Sequence, residues 1–203
     1  MRVGIFGGTF DPVHIGHLIM AEQSREQARL DRVWFVPSAR PPHKRDVAVT
    51  SFAQRVEMLS LALVGRENHF RIETIENDRS GPSYTIDTLV ELRRLHPGVD
   101  FCLMVGSDCL PDLPKWSRPH ELLRTTELVV SPRVGSPSMT AAQVAELLRL
   151  PADEILRITH VDLPHTEFAS RDLRARAAAG RSLLWMMPES VEVYIRENRL
   201  YRG

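Results

Sequence analysis

At 203 residues the chain is long enough for one large domain, or a domain with a small appendage, and for a sizeable buried core. Its 26 Lys and Arg balance 26 Asp and Glu, which excludes a general basic coat for nucleic acid and an acidic disordered chain, so any phosphate binding has to be local. Two cysteines, no charged-then-apolar leader and no apolar run near ~18 residues lead to the expectation of a cytoplasmic protein with neither a membrane nor a nucleic-acid partner.

In chain order, apolar β-rich runs at residues 3–6, 33–36, 101–105, 128–130 and 155–159 predict buried strands. Helical patterns separate them. Phe52, Val56, Leu59 and Leu63 repeat at helical spacing behind Thr50 and Ser51 as caps, and Ile86, Leu89 and Val90 do so behind Ser83. Such stripes are core. Two further helices are expected around 170–179 and 188–198, as a small C-terminal subdomain. Alternation of apolar strands with helices predicts an α/β chain with a doubly wound parallel sheet, whose ligands sit beyond the carboxyl ends of the strands. The polar motifs obey that rule. Residues 7–17 follow the first strand, Pro41-Pro42-His43-Lys44 the second, Gly106-Ser107-Asp108 the run ending at Val105, and Pro132-Arg133 the run ending at Val130.

The most informative stretch is Gly7-Gly8-Thr9-Phe10-Asp11-Pro12-Val13-His14-Ile15-Gly16-His17. Glycines after a strand let the backbone turn sharply and a polyphosphate come close, while the following helix aims free N–H groups and its positive dipole end at the anion. His14 and His17 stand three residues apart, which on a helix places both imidazoles on one face of the first turn as directed donors to phosphoryl oxygens. A zinc site is disfavoured, because no further Cys or His lies at finger-like spacing. Asp11 before Pro12 suits an Asx-type turn brace as well as a loop-orienting role.

These residues resemble the nucleotidylyl transferases of the HxGH superfamily, and among them the bacterial nicotinate mononucleotide adenylyltransferases. The resemblance also rests on Pro41-Pro42-His43-Lys44, on Ser83-Tyr84-Thr85-Ile86-Asp87-Thr88-Leu89, on Gly106-Ser107-Asp108 with Trp116 after it, on residues 168–174 and on Val191-x-x-Tyr194-Ile195. It implies a Rossmann-like core over 1–165 and a helical subdomain over 166–203 that completes the ATP site. It also implies transfer of AMP from ATP to nicotinate mononucleotide, with release of pyrophosphate. His17, His14 and Lys44 are then catalytic. Gly7, Gly8, Thr9, Phe10, Gly16, Gly106, Ser170 and Arg174 join the two histidines around ATP. Ser83, Tyr84, Thr85, Asp108, Trp116 and Arg133, with Lys44, take the mononucleotide: the helix start meets the nicotinate carboxylate, Trp116 stacks on the pyridine and Asp108 accepts from ribose hydroxyls.

Mg²⁺ is expected on the ATP phosphates, with no dedicated protein metal site, and a homo-oligomer is compatible with the reading. Two positions depart from the family pattern. Ala169 stands where many members have a serine, and Arg171 where they have a threonine, so one hydroxyl contact is lost and one cation gained. Ser117 stands where some relatives carry a second aromatic. The rival readings are a pantetheine-phosphate adenylyltransferase, a catalytically silent nucleotide-binding regulator and a tRNA-ligase-type protein. The first has threonine where His14 stands and lacks residues 83–89 with Trp116. The second has no need of His14, His17, Lys44, Ser170 and Arg174 together, and the third requires an anticodon-binding extension or basic face.

Overall fold

The computed structural model describes residues 1–40, 49–151, 154–164 and 168–202. Six strands form one sheet: β1 (Arg2–Gly8), β2 (Arg32–Pro37), β3 (Phe70–Ile72), β4 (Asp100–Gly106), β5 (Glu127–Ser131) and β6 (Ile158–His160). Their order is β3-β2-β1-β4-β5-β6 and every adjacent pair is parallel. The doubly wound α/β expectation therefore holds. In this order the chain reverses its winding between β1 and β4, which opens a crevice where their carboxyl ends diverge.

The strands are buried on both faces, and their two-residue period assigns each side chain to one of two cores. Phe6, Val33, Phe35, Cys102, Met104 and Val129 point to one side. There they meet Met20 and Ala21 of α1 (Ile15–Gln27), Met58, Leu59 and Leu63 of α2 (Phe52–Leu63), Leu173 of α6 (Ser170–Ala178), and Val191 and Ile195 of α7 (Glu189–Glu197). Val3, Ile5, Trp34, Val36, Phe101, Leu103, Val105, Leu128 and Val130 point to the other. They pack on α3 (Thr85–Leu95), a 3₁₀ stretch Ser107–Lys115, α4 (Pro119–Thr125) and α5 (Ala141–Leu147) through Ile86, Leu89, Leu92, Leu110, Leu113, Leu122, Leu123 and Val144. The C-terminal helices thus share their apolar core with α1 and α2.

The Ser51 cap of α2 is present, with the Gln54 N–H donating to Ser51 Oγ at 3.3 Å. Three expectations need correction. Ile155 is 88% exposed and lies outside the sheet, and the strand begins at Ile158 because only 158–160 pair with β5. Val90 is exposed on α3, whose buried face is Ile86, Leu89 and Leu92. Ser83 does not cap α3; the cap position is Tyr84, without a side-chain bond. Ser83 instead grips the segment after β2, donating its N–H to Arg40 O at 3.1 Å and accepting the Arg40 N–H on Oγ at 3.2 Å. That pairing sets the start of α3 beside the crevice.

Candidate active site

The crevice contains two hollows. One, of about 460 Å³, is lined by the ends of β1 and β4, by Ser83, Tyr84 and Thr85, and by Asp108, Trp116, His17 and Arg133. The other, of about 620 Å³, is lined by His14, His17, Asp108, Arg133 and the Phe168–Arg174 side of α6, including Ser170 and Arg174. His17, Asp108 and Arg133 belong to both, so they form the shared rim. The structure therefore brings together most of the residues singled out above: the mononucleotide set surrounds the smaller hollow together with Gly7, Gly8, Thr9 and Gly106 of the ATP set, His14, Ser170 and Arg174 line the larger, and Phe10 and Gly16 line neither. Lys44, with Pro41, Pro42 and His43, lies outside the described residues.

The glycines act differently from the expected bend. Gly7 and Gly8 are the last residues of β1, and neither has a positive φ; the left-handed residue is Phe10, at φ 50°. Space is their contribution. A Cβ on Gly7 would meet nothing within 4 Å, so the strand end is open to a ligand, whereas one on Gly8 would press on the Phe10 ring at 2.8 Å. Phe10 itself is no ligand-lining side chain. It is 1% exposed and its ring packs edge-on against His17 at 5.1 Å, beside Phe6 and Phe35, because a large apolar ring gains more by joining the core than by facing phosphate.

His14 occupies the cap position of α1, and its N–H donates to His17 Nδ1 at 3.3 Å. The rings stack, with centroids 3.7 Å apart. With Nδ1 accepting, the neutral His17 ring carries its proton on Nε2. Gly16 permits the stack, since a Cβ there would lie 3.1 Å from His14 Nδ1. His14 is 2% exposed, and its Nδ1 has no hydrogen-bond partner among the described residues. Burial, reinforced by the Arg133 charge, pulls its pKa from the ordinary 6.5 down to about 4, so it is neutral at pH 7.

Across the rim, Arg133 Nε lies 3.8 Å from Asp108 Oδ1. Gly106 is needed beneath them, because a Cβ there would overlap the Asp108 carboxylate and crowd Arg133. Buried Ser107 fixes the strand ends, accepting the Arg133 N–H at 3.0 Å and donating to Ser136 O at 3.1 Å. Trp116 closes the 3₁₀ stretch with its N–H on Leu113 O at 3.0 Å, half-buried at the wall of the smaller hollow. Arg171 is 82% exposed and pairs with Asp172 at 3.4 Å.

Ser170 and Arg174, expected at ATP phosphates, also hold the loop between β1 and α1: Ser170 Oγ donates to Pro12 O at 3.0 Å and Arg174 Nη1 to Asp11 O at 2.7 Å. Asp11 is a brace, 2% exposed, accepting from Tyr201 Oη at 2.7 Å and from the Thr50 N–H at 3.4 Å. Arg55, buried on α2, donates to Thr9 O at 2.8 Å and Thr50 O at 3.0 Å. Its pKa is lowered by burial, against the opposing pull of Asp11. Arg55 and Tyr201 were not singled out from sequence, and Ser107 entered only within the Gly106-Ser107-Asp108 motif, without a role of its own. A polar residue on the apolar stripe of α2 is the one local signal that marks Arg55.

Among the described residues no cluster of three or more His, Cys, Asp or Glu side chains is placed to hold a metal ion, and no helix is long and apolar enough to cross a membrane.

Residues 5–190 match the family model described as cytidylyltransferase-like. A protein described as a probable nicotinate-nucleotide adenylyltransferase from Exiguobacterium sibiricum is 42% identical over 202 residues, covering 99% of each chain. Another so described, from Thermomicrobium roseum, is 41% identical over 99% of this chain and 92% of its own. In fold, the chain resembles the Plasmodium falciparum nicotinic acid mononucleotide adenylyltransferase complexed with NaAD, with a TM-score of 0.79, 18% identity, and coverage of 98% of this chain and 97% of that one.

Proposed function

We infer the reaction from one premise: the chain belongs to the cytidylyltransferase-like family and, within it, to the nicotinate-nucleotide adenylyltransferases. It is an enzyme that transfers the AMP moiety of ATP to nicotinate mononucleotide, yielding nicotinate adenine dinucleotide and pyrophosphate. The observation that carries this reading to individual residues is the pair of hollows meeting at His17, Asp108 and Arg133. Two nucleotides laid end to end, one in each, put the α-phosphorus of ATP at the rim beside the phosphate of the other.

The chemistry needs little covalent help. A phosphate monoester loses its second proton near pH ~6, so the attacking oxygen is already ionised at neutral pH and no general base is required. What remains is alignment and stabilisation of the charge that develops on the departing pyrophosphate. A neutral His14, and His17 through its Nε2, supply directional donors. Arg133 and Arg174 supply the cations. A guanidinium has five N–H donors, so the bond from Arg174 to Asp11 leaves others for phosphate oxygens. Lys44 adds a further cation from the segment after β2.

The donor set suits Mg²⁺ carried by the nucleotide. Asp108 and Asp172 are carboxylates lining the larger hollow, too few for a protein cage and enough to meet an ion held by phosphate oxygens and water. When bound, the ion screens the β- and γ-phosphates. Residues 166–203 complete the ATP side over the core at 1–165. The test is to incubate the protein with ATP, Mg²⁺ and, separately, nicotinate mononucleotide or phosphopantetheine, and to measure pyrophosphate. Release with nicotinate mononucleotide is expected, and release with phosphopantetheine alone overturns the reading.

A further inference from the structure

The loop that carries the two histidines is held from outside its own helix. Arg55 of α2 takes the Thr9 carbonyl, and Arg174 and Ser170 of α6 take those of Asp11 and Pro12. The Met186 carbonyl takes the Ile15 N–H at 2.9 Å, at the first turn of α1. The side chain of Asp11 in this loop accepts from the hydroxyl of Tyr201, 190 positions away in sequence. Tyr201 Oη also lies 3.9 Å from Met58 Sδ, which sets the hydroxyl between α2 and the loop. Burial, with Asp11 nearby, pushes its pKa upward, and it stays a neutral donor throughout the working pH range.

Resting on the adenylyl-transfer reading above, we propose that Tyr201 is a positioning residue, which acts through the buried Asp11 carboxylate to hold the Thr9–Pro12 turn and thereby the stacked His14 and His17 rings at the rim. A short bond to a 2% exposed carboxylate is costly to lose, because among the described residues Asp11 then keeps the longer Thr50 contact and the field of Arg55. The turn must shift to recover a donor. His14 follows Asp11 by three residues, so the shift reaches the histidine pair, while Ser83, Thr85 and Trp116 stand on other elements of the smaller hollow.

The test compares Tyr201→Phe, which removes the hydroxyl and keeps the ring, with Val191→Ala, which loosens the same C-terminal packing without touching a hydrogen bond. For Tyr201→Phe, kcat is expected to fall about tenfold while KM for nicotinate mononucleotide stays within about twofold, since Ser83, Thr85 and Trp116 are undisturbed. The imidazole ¹⁵N resonances of His17 are expected to move away from the Nε2–H pattern. Val191→Ala is expected to lower Tm at least as much, with kcat and the resonances retained. Unchanged kcat and unchanged imidazole signals in Tyr201→Phe overturn the proposal, as does a fall in kcat that Val191→Ala reproduces. Absence of activity in the wild-type protein instead overturns the reaction, and the imidazole signals then decide the role of Tyr201 independently.

Discussion

His14 is a buried imidazole that stays neutral, and that has a consequence for stability. Its folded pKa, about 4, lies below the ordinary 6.5, so between these values the unfolded chain binds a proton that the native one refuses. The stabilisation is present above pH 6.5 and is lost as pH falls towards 4, by roughly 3 kcal/mol if the whole interval is crossed. Urea unfolding at pH 7 and pH 4.5 should therefore show a steeper acid loss in the wild-type protein than in His14→Gln; equal losses would remove the argument. In the proposed reaction His17 donates to the transition state. Replacement by alanine is expected to lower kcat more than about a hundredfold with the circular dichroism spectrum retained, and near-normal turnover would contradict the assigned role. At this scale the two histidines were legible because both sit within four consecutive positions of one helix start. The Phe10 ring turns into the core, since membership of a motif in sequence says nothing about which way a ring points.

At the scale of elements, the proposed reaction makes the beginning of α3 the selective feature. Thr85 opens an 11-residue helix beside the smaller hollow, and an anion placed there gains from the unpaired N–H groups and the dipole. Nicotinate mononucleotide should be preferred over nicotinamide mononucleotide by at least about tenfold in kcat/KM, the worth of one charge-assisted contact. Parallel progress curves with the two acceptors check this, and equal rates would deny the helix its role. The β4 terminus offers a second test. Gly106→Ala forces the Asp108 carboxylate aside, so kcat/KM should fall at least tenfold or so while Tm changes little, because the displaced groups are partly exposed. The four runs at 3–6, 33–36, 101–105 and 128–130 marked strands because burial on both faces leaves an unbroken apolar signal. β3 escaped notice, being three residues long at the sheet edge with Arg71 at its centre. β6 was displaced for a related reason: the apolar pair Ile155-Leu156 precedes the ladder, and neither residue is in it.

For the molecule as a whole, α6 and α7 bury Leu173, Val191 and Ile195 in the same core as α1 and α2. Unfolding should accordingly be cooperative across the chain. Far-ultraviolet circular dichroism and tryptophan fluorescence, which includes Trp185 on the C-terminal segment and buried Trp34, should give coincident thermal transitions; an earlier loss of one signal would show the C-terminal helices melting alone. The contacts that make this cooperativity were the least readable from sequence. The Asp11–Tyr201 and Ser170–Pro12 bonds join positions 190 and 158 apart, and no local pattern encodes a pairing at that distance. The adjoining hollows carry a last implication, for what happens after the bond is made. A dinucleotide anchored at both ends surrenders its tumbling freedom once and collects two grips, so it clings more firmly than either half.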